Sequence, residues 1–212
     1  MIKLYDNNNN IEYIVYSIMG AGILPVAFHN NDIYFLFGKE RDRPNETARG
    51  WADFGGGAEK NEKTIDIAAR EGSEELSGFL GDKTNIRTLL KKKKLVLRTE
   101  NLQYTTYIVP IAFDKNLPKY FNNQIKFING YIDDHKLNNT TMYEKEELKW
   151  FNYKALIRNK NKFRKFYQEM VTIILNNKSN INNIVKAYRK STRKQRKNRT
   201  NTRIKRNKTL KM

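Results

Sequence analysis

Glu71, Glu74 and Glu75 stand at i, i+3 and i+4 within GWADFGGGAEKNEKTIDIAAREGSEELSG, the stretch from Gly50 to Gly78. On a helix that spacing gathers three carboxylates on one face. Carboxylates so close repel one another, so something positive should sit among them. Arg70 reaches Glu74 one turn on, but one guanidinium does not balance three acids. Hard divalent ions that take oxygen ligands, Mg²⁺ above all, are the natural complement. The glycines just before the helix allow a tight backbone beside a ligand, and a carbonyl there can join the coordination shell. The bland alternative is a solvated acidic helix face behind a glycine turn.

Several elements must position these residues. The helix is expected from Thr64, with Thr64 as N-cap and Asp66 at the positive end of the dipole. Ile65, Ala68, Ala69 and Leu76 form its apolar stripe. Upstream, Ile2–Tyr5 and Ile11–Tyr16 read as short strands around a turn at Asp6–Asn10. Gly22–Phe28 and Ile33–Gly38 read as an adjacent pair of strands, and Pro25 argues for an edge or a bulge in the first. Downstream, Leu95–Leu97 and Tyr104–Phe113 read as strands. Asp114–Asn139 reads as mostly irregular, with a short helical turn later at Asn152–Arg158. The apolar spacing from Phe163 through Leu175 predicts an amphipathic helix. Ile181, Ile184, Val185 and Tyr188 suggest one more short helix.

Counted out, Gly56 is followed by five residues and Glu62, seven more lead to Arg70-Glu71, and two more to Glu74-Glu75. That spacing resembles the Nudix box, G-x5-E-x7-R-E-x2-E-E, and the chain is similar in this respect to Nudix hydrolases over roughly residues 12–157. The resemblance implies an α/β Nudix fold, a mixed β-sheet sandwiched between helices, and hydrolysis of a nucleoside diphosphate linked to another group. It implies Mg²⁺, or Mn²⁺ in its place, held by Glu71, Glu74, Glu75 and the carbonyl of Gly55. Glu71 and Arg70 would lie at the reaction centre, with Gly56, Glu62 and Arg70 bracing loop against helix. In many members, messenger-RNA decapping enzymes among them, a glutamate before a Trp-Phe pair on a later loop is the general base. Here Glu144-Lys-Glu146-Glu147-Leu-Lys-Trp150-Phe151 resembles that stretch, with Glu144 favoured, Glu147 second, and a surface acidic cluster as the alternative. Gly72 and Ser77 depart from the pattern, which usually has an aliphatic residue and a glycine there. A glycine inside a helix costs about 1 kcal/mol relative to alanine, and Gly72 is expected to let the helix lie close on a sheet.

The chain has 212 residues and no cysteine, which excludes disulfides and thiolate metal sites. His29 and His135 are the only histidines, so a zinc site is not expected, and each reads as a surface or turn residue. No apolar run spans a bilayer and no signal peptide opens the chain, so no membrane is expected and an intracellular, cytoplasmic protein is the default. The wealth of Asn, Lys and Ile points to an AT-rich genome, as in large DNA viruses. Net charge is +19, and thirteen of the forty-one Lys and Arg fall from Lys186 onward with no acid among them. Three segments follow: 1–157 as the hydrolase domain, 158–185 as a helical extension, 186–212 as a basic tail expected to be disordered. Lys186, Arg189, Lys190, Arg193, Lys194, Arg196, Lys197 and Arg199 would neutralise RNA phosphates. The alternatives are a nuclear-import signal and an undedicated polycation. The tail lacks regularly interleaved aromatics, which argues against base stacking as its main mode. The leading expectation is removal of a 5′ cap from RNA. Other readings are a small-molecule hydrolase of nucleotides or diphosphoinositol phosphates, and an inactive nucleic-acid-binding module. Trp51, Trp150, Tyr120 and Phe121 are candidates for base stacking, each expected first as packing.

Overall fold

The computed structural model describes the backbone at residues 2–5, 11–14, 20–42, 49–92, 94–100, 103–138 and 143–209. Side chains are described among these except at 2–5, 11–14, 134, 138 and 195–209. The strands are β1 Ile2–Tyr5, β2 Ile11–Ile14, β3 Gly20–His29, β4 Asp32–Glu40, β5 Trp51–Ala52, β6 Phe54–Gly57, β7 Leu95–Arg98, β8 Tyr104–Pro110 and β9 Lys145–Asn152. The helices are α1 Thr64–Glu75, α2 Lys83–Lys92, α3 Leu117–Tyr131, α4 Asp134–Asn138, α5 Tyr153–Asn159, α6 Tyr167–Asn176 and α7 Lys178–Thr209. β1 and β2 pair with each other, and the other seven strands form one mixed sheet.

β3 is the axis of that sheet. It runs parallel to β8 and antiparallel to β4 and β6. On one flank its partner changes: Gly20–Ile23 face β6, and Val26–His29 face β4. Leu24 and Pro25 fall in the gap between, so the missing N–H of Pro25 leaves that ladder unharmed. The expected irregularity is there, but in an interior strand. Alternation along β3 feeds two cores. Leu24 and Val26 point to a core closed by α5, α6 and the start of α7, where Tyr167, Met170, Val171, Ile174, Ile181 and Val185 are buried. Ala21 and Ile23 point to the other, closed by α1, α2 and α3. The sheet thus lies between two helical layers.

Two expectations are corrected and one helix is new. The segment 114–139 is largely helical, because Leu117, Phe121, Ile125 and Ile128 form a buried stripe beneath a polar surface. Helix α2, which the polar composition hid, is anchored by buried Ile86 and Leu90 with Leu89 beside them. The amphipathic helix begins at Tyr167; Phe163 precedes it, buried after a short 3₁₀ turn. Helix α7 carries the described backbone on to Thr209. Its first turns are fixed by Ile181 and Val185 in the core, and Lys, Arg and Gln propagate a helix well once it is nucleated.

Candidate active site

The glycine strand β6 and helix α1 meet against β3. Gly56 pairs with Ala21, and the Glu71 carboxylate lies over Gly56: a Cβ there would stand 2.4 Å from Glu71 Oε1. A Cβ at Gly72 would stand 2.8 Å from the Cδ1 of Ile23, so this glycine does set α1 close on the sheet. The helix ends where Ser77 and Gly78 turn left-handed, at φ 49° and 74°. Thr64 is not the cap: Lys63 stands there, and the Thr64 hydroxyl bonds the Tyr107 hydroxyl at 2.8 Å.

Arg70 is the brace that the spacing implied. It donates to Glu62 Oε2 at 2.9 Å, to the Gly57 carbonyl at 2.9 Å and to Glu71 Oε1 at 2.6 Å, with Glu74 at 3.6 Å. Strand end, loop and helix are therefore tied through one guanidinium. The hydrogen bond from Arg70 holds the Glu62 carboxyl below its ordinary range. Burial raises Glu71, against the pull of Arg70 and with Glu74 and Glu144 adding to it.

Glu75 has a partner that sequence spacing missed. Its side chain is 4% exposed, and the fully buried Lys145 ammonium lies 3.1 Å from its Oε1. Lys145 also pairs with Glu40, which takes a second cation from Arg164 at 2.9 Å. Burial would pull Lys145 down, but Glu75 and Glu40 more than offset it and its pKa is raised. Glu75 itself is pushed well up, first by burial and then by Glu40 and Glu71, with Lys145 opposing. The one available signal was the register of β9 on β4, which sets Lys145 opposite Glu40.

Two of the three helix carboxylates thus have a cation of their own. Arg70 holds Glu71 while Lys145 holds Glu75, and among the described residues no three acidic or histidine side chains form a ready ion pocket. The donors still suit a hard divalent ion. All are oxygens, and Oε2 of Glu75 is buried with no hydrogen-bond partner among the described residues.

Most of the stretch expected to carry a base is β9, with Glu144 just ahead of the strand. Glu147 pairs in register with Lys39 and Lys145 with Glu40, so Glu146 is the extra residue of a bulge, and its carboxylate is taken by Lys39. Glu144, half-buried at the strand's entrance, acts electrostatically on Glu71. Behind the glycines, Asp53 is buried and accepts from the Tyr104 and Thr106 hydroxyls, each at 2.7 Å. Trp51 and Phe121 are core residues, Trp150 donates to the Asp114 carbonyl, and only Tyr120, 57% exposed, stands open. Lys186, Arg189, Lys190, Arg193 and Lys194 lie along α7, whereas the side chains of Arg196, Lys197 and Arg199 fall outside those described. No helix among the described residues is long and apolar enough to cross a membrane.

No known family profile matches the chain. A stretch of 77 residues is 47% identical to the uncharacterized protein L534 of Acanthamoeba polyphaga mimivirus, covering 34% of this chain and a quarter of that protein's own length, 25%. Among solved structures, a C. elegans Ap4A hydrolase complex shares 14% identity at a TM-score of 0.43, over 73% of this chain and 92% of that one. The M. Smegmatis Nudix hydrolase RenU shares 14% at 0.44, over 84% and 96%. The likeness is one of overall arrangement.

Proposed function

We propose that this chain is a Nudix hydrolase that cleaves a diphosphate linkage in a nucleotide substrate, with RNA carrying that linkage at its 5′ end. The observation that carries the reading is the Arg70 brace. The box spacing in the sequence becomes one unit in which Arg70 pairs with Glu62 and Glu71 and donates to the Gly57 carbonyl, with the orphaned oxygen of Glu75 on the same helix. Glu71, Glu74 and Glu75 would hold Mg²⁺ or Mn²⁺, with the Gly55 carbonyl. Such an ion neutralises the diphosphate and lowers the pKa of bound water. Arg70 favours the ionised form of Glu71 against the pull of burial and fixes the glycine strand against the helix. Glu144 accepts the proton of the attacking water, with Glu147 the second candidate and Glu146 held by Lys39. Phosphorus displacement asks mainly for positioning and charge, which these rigid elements supply. RNA is favoured by the run of cations along α7 and beyond it. The small-molecule reading needs none of them and is the alternative.

The test is product release from capped RNA, free cap dinucleotide, nucleotide sugars and diphosphoinositol phosphates, each with Mg²⁺, Mn²⁺ or EDTA. Glu75→Gln keeps the shape of the side chain and removes its charge, and is expected to abolish turnover. Glu144→Gln is expected to lower kcat by about 10²–10⁴, the range for a lost acid–base group, and Glu147→Gln to do much less; the reverse order moves the role to Glu147. Wild-type turnover in Glu75→Gln sinks the site. Turnover of small diphosphates with none of capped RNA moves the reading to the alternative.

A further inference from the structure

At the far end of β3 from the box, the strand terminus, the segment after β8 and α7 enclose a cavity of about 470 Å³. One wall is aromatic. The rings of His29 and Phe113 stack at 4.1 Å with 10° between their planes, and Phe113 leans on Trp150 at 5.1 Å. The other wall is α7, which contributes Tyr188, Arg189 and Arg193. The Arg189 guanidinium carbon lies over the Phe28 ring, 3.7 Å from its centroid. A guanidinium held over an aromatic ring still has five N–H donors with which to take anionic oxygens. Among the described residues no carboxylate lines the cavity.

A cavity with a stacked π wall on one side and two guanidinium groups on the other matches a ligand with a flat apolar part and anionic oxygens. We propose that it docks single-stranded RNA, a base lying against His29 and Phe113 and the adjoining phosphates against Arg189 and Arg193. Single strands are implied because a paired and stacked base has no face to offer such a wall. The missing aromatics of the basic tail are thus supplied by other elements, which is why its own spacing did not show them. Gly22 pairs with Gly55 near the start of β3 and His29 ends it; at about 3.3 Å per residue the two sites lie on the order of 20 Å apart. A strand held here could extend several nucleotides toward the box. The inference rests on the RNA-linked reading for its choice of polymer, yet docking needs no cleavable bond.

The experiment is fluorescence anisotropy of a short fluorescein-labelled, uncapped RNA against the full chain across a salt series. The variants are Arg189→Ala/Arg193→Ala, Phe113→Ala, His29→Ala and, as a control of equal charge, Lys190→Ala/Lys194→Ala. Base stacking on an aromatic is worth about 5- to 150-fold in affinity, so each aromatic variant should lose within that range with the salt slope unchanged. The arginine pair should lose more than the lysine pair and flatten the slope by about 0.7 for each phosphate no longer neutralised. Equal losses from the two charge pairs, with both aromatic variants binding as wild type, overturn the proposal in favour of diffuse attraction to the tail. Displacement of the RNA by AMP at matching affinity also overturns it and makes the cavity a mononucleotide site. Hydrolysis of the substrate panel is read in the same preparations. If hydrolysis fails while the variants behave as expected, only the enzymatic reading falls; if hydrolysis succeeds while the variants bind as wild type, only this inference falls.

Discussion

Lys145 is the residue on which the charge balance of the site turns. It lies fully buried between Glu75 and Glu40, and removing one partner of a buried pair leaves the other charge uncompensated, at a cost of about 3–5 kcal/mol. Lys145→Met is expected to lower the thermal midpoint sharply in EDTA. It should then recover more of it than wild type does when Mg²⁺ is added, because Glu75 gains a stronger demand for a cation. Scanning fluorimetry with and without the ion reads both effects, and a midpoint close to wild type in EDTA contradicts this role. Asp53 makes a second prediction. Burial raises its pKa from 3.8 to about 6, with the Tyr104 and Thr106 hydroxyls opposing. The folded form therefore binds its proton more tightly than the unfolded chain. The corresponding stability is present below about pH 4 and is lost as pH rises through 6, by about 3 kcal/mol at roughly 1.4 per unit. Denaturant titrations in EDTA should show Asp53→Asn gaining on wild type across that window and running parallel above it. No gain would mean that Asp53 is ionised in the folded chain at little cost. Arg70 and its partners were legible in the sequence because all of them sit within one box. Lys145 was not, because only the pairing of β9 with β4 brings it to Glu75.

Among the elements, α1 is placed by what Gly72 lacks. Adding one methyl would gain about 1 kcal/mol of helix propensity but would press on the end of the Ile23 side chain. Gly72→Ala is expected to be close to neutral. Gly72→Val overpacks the contact and should cost about 1–3 kcal/mol, with a fall in turnover because Glu71 and Glu75 move with the helix. Denaturant midpoints and kcat measured on both variants check this, and a fully stable, fully active Val variant would show that α1 has room to shift. Helix α3 plays a different part. Asn122 accepts from the Leu148 N–H at 2.8 Å and donates to its carbonyl, so a side chain satisfies the strand edge that β9 would otherwise leave open. The strands around β3 and helices α1 and α6 could be read from periodicity, since their stripes are rich in apolar residues. Helices α2 and α3 could not, because two to four buried residues anchor each beneath a polar surface.

In the whole molecule, charge and packing are separated along the chain. α7 is nailed down by Ile181 and Val185 and then runs on as a cationic rod. Removing residues 195–212 takes away eight positive charges and none of the described core, so the thermal midpoint should hold. Binding of long RNA should weaken with a shallower salt dependence, while binding that needs the His29 and Phe113 wall persists. Equal affinity of full and shortened chains across a salt series would show that the rod beyond residue 194 touches no phosphate. The tail's basicity was legible from composition. The burial of Ile181 and Val185 ahead of it was hinted at by their spacing with Ile184 and Tyr188.

The parallel pairing of β3 with β8, and the late arrival of β9, set the order in which this protein can come into being. Glu40 and Glu75 leave the ribosome long before Lys145 does, so a nascent chain that has made its acidic helix still lacks the ammonium that lets Glu75 be buried. Until the last strand is synthesised, closing the sheet over those acids would strand them away from water without a partner. β9 therefore works as a latch: fragments that stop short of it carry the whole glutamate-rich motif yet should stay open, and synthesis must pass Lys145 before the centre can shut.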